Sequence, residues 1–387
     1  MDAAFVEQLR RTLGDGGLVT RPEQLRTYEC DGLTNFRVVP VAVALPDSAE
    51  QVVAVVRACH EAGVPFVARG SGTGLSGGAL PVEGGIVISL ARLNRILEVD
   101  LANQRVVVEP GVLNQQVTQR VVAAGYFYAP DPSSQQVCSI GGNVAENSGG
   151  AHCLKYGFTV THVTALEVVL PDGSVVHLGG PVQATAEPGA TEAPHATGST
   201  GLIGAPDPPG YDLAGVFVGS EGTLGIATRI TLRVVKRPEV IQTLIAAFGS
   251  SDDAGAAVSG IVAAGILPAA AEMMDRLSLD AAEAAVHAGY PECQALLLVE
   301  LDGAAADVAD GMARVQEICR SCGAGELRLA RSDEERAVVW KGRKAAFAAM
   351  GRISPNYIVQ DGVIPRTALP RVLREIERLS AAAGLRV

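Results

Sequence analysis

The sequence predicts an α+β protein of two domains, and three observations carry the prediction. The chain has 387 residues, enough for about two domains. Up to Pro238, short apolar strands alternate with helical patterns and with stretches dense in glycine. Beyond Pro238, longer elements follow in the order β-α-β-β-α-β, that of a ferredoxin-like sandwich. The expected division is 1–237 and 238–387, with residues 181–210 as a flexible insertion in the first part.

Taken in order, residues 1–30 read as helices. VAVALP and VPFVARG are strands flanking the helix SAEQVVAVVRACHEAG, for which Ser48 is the expected N-cap. GGIVISL and RVVVEP are strands, and Leu113 to Ala124 is helical. ALEVVLP and VVHLG form a hairpin around the turn Asp172-Gly173-Ser174. Pro181 to Gly210 holds six prolines and five glycines with no periodicity, so it reads as a linker. In the second part VIQTLIAAF, LPAAAEMMD, QALLLVELDG and GELRLAR are strands. DDAGAAVSGIVAAG and ADVADGMARVQEICRSCG are the sandwich helices, with LSLDAAEAAVHAG as an extra one. SDEERAVVWKGRKAAFAAM and ALPRVLREIERLSAAAG are helices on either side of the extended ISPNYIVQDGVIP.

Composition limits the function. Hydrophobic residues make up 48% of the chain, which supports a sizeable core, and the net charge of -11 argues against nucleic acid as a partner. No apolar run approaches the roughly 18 residues of a transmembrane segment. The amphipathic start MDAAFVEQLRRTLG is not a signal peptide. The expectation is a cytoplasmic protein, with a peripheral place at the inner face of a membrane left open. Seven scattered cysteines read as reduced thiols, including Cys319 and Cys322 of ICRSC, which lack a second CxxC to complete a metal site.

Three glycine-rich segments carry the chemistry. RGSGTGLSGG, Arg69 to Gly78, has five glycines in ten residues and follows a strand. Consecutive N–H groups in such a loop suit phosphate or pyrophosphate. No GK[ST] closes it as a Walker loop. No helix follows it, so it is not a Rossmann fingerprint, and a nicotinamide enzyme is disfavoured. PDPSSQQVCSIGGNVAENSGG, Pro130 to Gly150, adds Asn143 and Asn147, whose amides can donate to a ring carbonyl or phosphate. GSEGTLGI, Gly219 to Ile226, is the third. Together they could enclose one long cofactor with a pyrophosphate and a flat ring.

The set RGSGTGLSGGALP, YAPDPSSQQVCSIGGNVAENSGGAHCLKYG, GSEGTLG and GRISPNYIVQDGVIPR resembles the FAD-linked oxidase family with the PCMH-type FAD domain, over residues 20–387 apart from the insertion. Within it the chain is most similar to the FAD-binding D subunits of glycolate oxidases, with D-lactate and D-2-hydroxyglutarate dehydrogenases as relatives. The resemblance implies a two-subdomain PCMH-type FAD-binding domain followed by a substrate (cap) domain. It implies that Arg69, Gly70, Ser71, Gly72, Thr73, Gly74, Leu75, Ser76, Gly77 and Gly78 wrap the diphosphate. The isoalloxazine and ribityl side falls to Pro130, Asp131, Ser133, Ser134, Ser139, Gly141, Gly142, Asn143, Asn147, Gly149 and Gly150. Glu221, Gly222 and Ile226 meet the adenine end. Residues 69–78 contain no histidine, so the FAD is expected to be non-covalent.

The implied reaction is oxidation of a small 2-hydroxy acid, glycolate to glyoxylate, with D-lactate as the alternative. Electrons pass to an iron–sulfur subunit or a quinone, beside a second FAD-binding subunit. Arg343 is implied as the clamp for the substrate carboxylate, with Arg366 second and a solvated helix face as the structural alternative. Val359 and Gln360 stand before Asp361 where dicarboxylate-handling relatives have a lysine, which favours a monocarboxylate. The family continues into HxGDGNxH, which supplies a divalent metal and a base. The chain lacks that motif and none of its six histidines replaces it, so no metal ligand is named. His152 and His162 are expected to pack beside the flavin segment. The chain is therefore expected to lack the last part of the family fold and most dehydrogenase activity. The reading from another class is a catalytically silent FAD-binding scaffold.

Overall fold

The computed structural model describes residues 3–180, 211–354 and 357–387, apart from the side chain of Arg366. The expected insertion at 181–210 lies outside the described residues. The chain forms two compact units, one of residues 1–150 and 157–237, the other of 151–156 and 238–387.

The first unit holds two main sheets. In the four-stranded sheet, Ala42–Ala44, Ile86–Ser89 and Phe66–Arg69 run parallel, and Leu18–Val19 joins antiparallel at the edge. Its helix Ala49–Ala62 shows why the sequence was readable there. Ser48 accepts from the Gln51 N–H, Gly63 closes the other end with φ 64°, and Val52, Val55, Val56 and Cys59 form one buried stripe. Residues 1–30 differ from the all-helical expectation: after the helix Ala3–Leu13 comes the edge strand Leu18–Val19. The five-stranded antiparallel sheet runs in the order Ile96–Asp100, Arg105–Val108, Ile226–Arg233, Val163–Val169, Val175–Gly179. The hairpin between its last two strands turns at Gly173, with φ 80°.

The second unit is the β-α-β-β-α-β sandwich, with its sheet ordered Ala270–Asp275, Ala295–Gly303, Val240–Phe248, Ala324–Leu329. The helices Ser251–Ala263 and Ala305–Ser321 cover one face, over Leu244, Ala246, Phe248, Leu297 and Val299. The extra helix Arg276–Val286 and the helix Asp333–Ala349 cover the other, over Ile245, Leu296 and Leu298. A sheet buried on both faces needs apolar residues at successive positions, which is why QALLLVELDG is a run and not an alternation. One charged residue interrupts that run: Glu300 lies on the same face as Leu296 and Leu298, with 2% of its surface exposed.

No helix among the described residues is long and apolar enough to cross a membrane.

Candidate functional site

The three glycine-rich segments meet at one short helix, Ile140–Glu146, which sequence periodicity did not reveal because its first turn contains Gly141 and Gly142. Ser139 caps it by accepting from the Gly142 N–H, and Asn147 ends it in the left-handed region with φ 48°. A Cβ on Gly141 would come within 2.6 Å of Pro110, so the glycine lets the helix lie against the preceding strand's end.

The first segment crosses the start of this helix. A Cβ on Gly70 would stand 2.3 Å from Ser139 Oγ, so only glycine allows the approach. Ser76 Oγ then donates to Glu146 Oε2 at 2.8 Å at the helix's far end. The third segment closes on the same end: the Gly219 N–H donates to the Val144 carbonyl at 2.8 Å and the Glu221 N–H to the Ala145 carbonyl at 2.9 Å. Glu221 and Gly222 hold positive φ, and Ile226 begins the strand behind them, buried.

Two residues that sequence reasoning passed over hold the first segment in shape. The buried Asp31 accepts from the Gly77 N–H at 3.0 Å and from the Leu33 N–H at 2.8 Å. The Gly32 N–H donates to the Gly74 carbonyl at 2.9 Å, and a Cβ on Gly32 would lie 2.7 Å from that oxygen. CDG carries no motif, so only the tertiary contact reveals them. Arg69 lies beneath the loop: its guanidinium donates to the carbonyls of Cys30 and Ala79 at 2.8 and 3.2 Å and would occupy the place of a Cβ on Gly72. Among the described residues, none of the main-chain N–H groups from Gly70 to Ser76, a span that includes Ser71, Thr73 and Leu75, donates a hydrogen bond. A run of uncommitted N–H groups in a glycine loop fits an anionic phosphate.

The second segment is more inward than its chemistry suggested. Asn143 is 2% exposed; its amide oxygen accepts from Asn114 Nδ2 at 2.8 Å and its amide nitrogen faces Cys138 Sγ at 3.4 Å. Asn147 accepts from the Val160 N–H at 2.9 Å. These amides brace the segment. The Pro130 carbonyl takes the other Asn114 contact at 3.1 Å, and Asp131 is buried. Ser134 accepts through its carbonyl from Val137 and Cys138, while Ser133 is exposed. Gly149 and Gly150 follow Asn147 as irregular chain, and a Cβ on Gly150 would lie 2.1 Å from the Asp131 carbonyl oxygen.

In the second unit, Arg343 belongs to a row on the helix Asp333–Ala349. Arg336, Trp340 and Arg343 recur at helical spacing and all meet carboxylates of the sheet. Arg336 and Trp340 reach Glu300 at 3.5 and 2.6 Å, and Arg343 reaches Glu272 at 2.6 Å through Nη2 and 2.8 Å through Nε. Arg343 therefore lies against the sheet while about a third of its side chain, 34%, remains exposed. The segment 151–156 packs into the same face. His152 Nε2 lies 2.9 Å from Glu300 Oε1, Lys155 pairs with Asp302, and the Tyr156 hydroxyl donates to Asp302 at 2.5 Å. His152 thus belongs to the second unit, whereas His162 packs edge-on to Tyr128 in the first. The side chain of Arg366 lies outside those described. Among the described residues, no three His, Cys, Asp or Glu side chains cluster so as to hold a metal ion.

Both halves of the chain match known families: residues 40–179 an FAD binding domain and residues 237–387 the C-terminal domain of FAD linked oxidases. The chain belongs to the FAD-linked oxidases, and its cofactor is FAD. It is 48% identical over 366 residues to the glycolate oxidase subunit GlcD of Escherichia coli strain K12, covering 94% of this chain and 69% of that protein. A D-lactate dehydrogenase of Anaerostipes hadrus is 32% identical over 356 residues, covering 90% and 70%. Among solved structures, alkyldihydroxyacetonephosphate synthase shares the fold with a TM-score of 0.77 at 19% identity, over 98% of this chain and 75% of that one.

Proposed function

We propose that the chain is the flavin subunit of a glycolate-oxidising complex, converting glycolate to glyoxylate and passing electrons to an iron–sulfur subunit or a quinone, beside a second FAD-binding subunit. The 48% identity to a glycolate oxidase subunit carries this reading. FAD, when bound, supplies the hydride acceptor. The chain's own residues bind and orient. The open N–H groups of Gly70 to Ser76 receive the pyrophosphate, and Asp31 and Gly32 hold those groups in place. The second segment, braced by Asn143 and Asn147, lines the ring side, and Glu221 and Gly222 the adenine end. With no histidine in residues 69–78, the FAD is held without a covalent bond there.

Arg343 takes the substrate carboxylate. A guanidinium carries five N–H donors, and Glu272 engages those of Nε and Nη2. The remainder can bind a second carboxylate, with Glu272 fixing the side chain's direction. Val359 and Gln360, where a lysine would suit a dicarboxylate, favour a monocarboxylate substrate.

The test is anaerobic mixing of the FAD-loaded protein with glycolate, D-lactate and D-2-hydroxyglutarate, following bleaching of the flavin band. Of the three acids at equal concentration, glycolate is expected to bleach it most readily. A preference for D-lactate would move the chain to the reading favoured by the 32% identical relative. Flavin that stays with the acid-precipitated protein would overturn the non-covalent assignment.

A further inference from the structure

The glycine loop is surrounded by acids. Glu146 Oε2 accepts from Ser76, and Oε1 of the same carboxyl is turned to the loop, 3.2 Å from where a Cβ of Gly74 would stand and 2.9 Å from that of Gly78. Asp31 holds the Gly77 N–H, and the Glu221 side chain begins 3.8 Å from the same Gly78 position. Among the described residues no Lys, Arg or His pairs with Glu146, and Arg69 spends its guanidinium on Cys30 and Ala79. Three carboxylates around a loop built for a doubly charged pyrophosphate would repel it.

We propose that Glu146 is neutral when FAD is bound, that its Oε1 carries the proton and donates it in a hydrogen bond to the pyrophosphate, and that FAD binding therefore takes up one proton at this residue. The inference rests on reading Arg69 to Gly78 as the FAD pyrophosphate cradle. The surroundings already favour the neutral form: burial, then the nearby charges of Glu221 and Asp31, push the Glu146 carboxyl up, against the Ser76 hydrogen bond. A bound pyrophosphate adds negative charge and pushes it further.

The sign follows. Below the titration of the free protein, Glu146 is already neutral and affinity is constant. Between the free and the bound titration, binding must take up a proton, so Kd rises with pH, approaching tenfold per unit. Above the bound value it levels again.

The test titrates the deflavinated protein with FAD from pH 5 to pH 9 by flavin fluorescence. It is accompanied by calorimetry in two buffers of different ionisation heat, which counts protons in the unaltered chain. The expected result is a Kd rising with pH, proton uptake approaching one per FAD in the rising part, and a flat profile in Glu146→Gln with tighter binding than the unaltered chain at high pH. Thermal melting of the deflavinated variant shows whether it is folded. If Glu146→Gln melts low, the two-buffer calorimetry on the unaltered chain decides. FAD binding with no proton uptake and no pH dependence, or a slope kept in a folded Glu146→Gln, would overturn the inference and leave the cradle standing. No FAD binding at any pH would instead overturn the cradle itself.

Discussion

Gly70 is the residue at which the glycine-rich segments are most sharply joined. Its hydrogen faces Ser139 Oγ, the cap of the Ile140–Glu146 helix, with no space for a methyl group. In Gly70→Ala the serine must leave, which uncaps the helix at a cost of about 1 kcal/mol and spreads the first and second segments apart. The expected outcome is a thermal midpoint lower by several degrees and at least a tenfold rise in the Kd for FAD. Gly249→Ala, on the other unit and with nothing within 4 Å of the added Cβ, serves as the control. Equal FAD affinity in the two variants would show that the close approach does not shape the cradle.

At the scale of elements, the helix Ala305–Ser321 settles what ICRSC is. Val308, Met312, Val315 and Cys319 follow one another at three or four residues on its buried side, so Cys319 is a core residue of the sandwich. Burial pushes its thiol up to about 12. A thiol that stays protonated is a poor nucleophile. The native protein is expected to show no reaction of Cys319 or of the equally buried Cys59 with a thiol reagent at pH 8, both reacting once it is unfolded. Rapid labelling of native Cys319, read by peptide mass, would revive a redox role for the pair.

At the scale of the whole chain, the notable event is the departure of residues 151–156 from the first unit to the second. His152 is bound to Glu300, which Thr243, Trp340 and Arg336 also serve. Burial pushes the Glu300 carboxyl up, but the His152 hydrogen bond and charge, with Thr243 and Arg336, outweigh it and hold it below the usual carboxylate range. A depressed carboxylate contributes stability that is full above its unfolded titration and is lost as pH falls through the folded one. The second unit should therefore lose this contribution as pH falls below 4.5, the ordinary carboxylate value. Glu300→Ala, which leaves the buried donors of Trp340 and Thr243 without that partner and takes the carboxylate from His152 and Arg336, should cost about 3–5 kcal/mol in urea unfolding at pH 7. It should also lack that part of the acid dependence. A loss below 1 kcal/mol, or an unchanged acid limb, would show that the cluster is not held by charge.

What the sequence determined by itself follows from local physics. Glycine density at Arg69 to Gly78 announces bare backbone wherever the loop ends up. The stripe of the Ala49–Ala62 helix and the apolar runs of VIQTLIAAF and QALLLVELDG specify their elements through period and burial alone. The motif set placed the chain among the FAD-linked oxidases before any contact was known. The tertiary structure decided everything that depends on neighbours distant in the chain. Asp31 and Gly32 matter because the loop some forty residues later folds onto them. Asn143 braces its segment because Asn114, twenty-nine residues earlier, reaches its amide oxygen. Arg343 points at the sheet because Glu272 stands on its inward face, and Glu300 sits in an apolar run because His152, Thr243, Arg336 and Trp340 converge on it. Propensity and periodicity report a residue's own backbone and face, whereas a buried polar group is defined by its partners, and those are chosen only when the chain closes on itself.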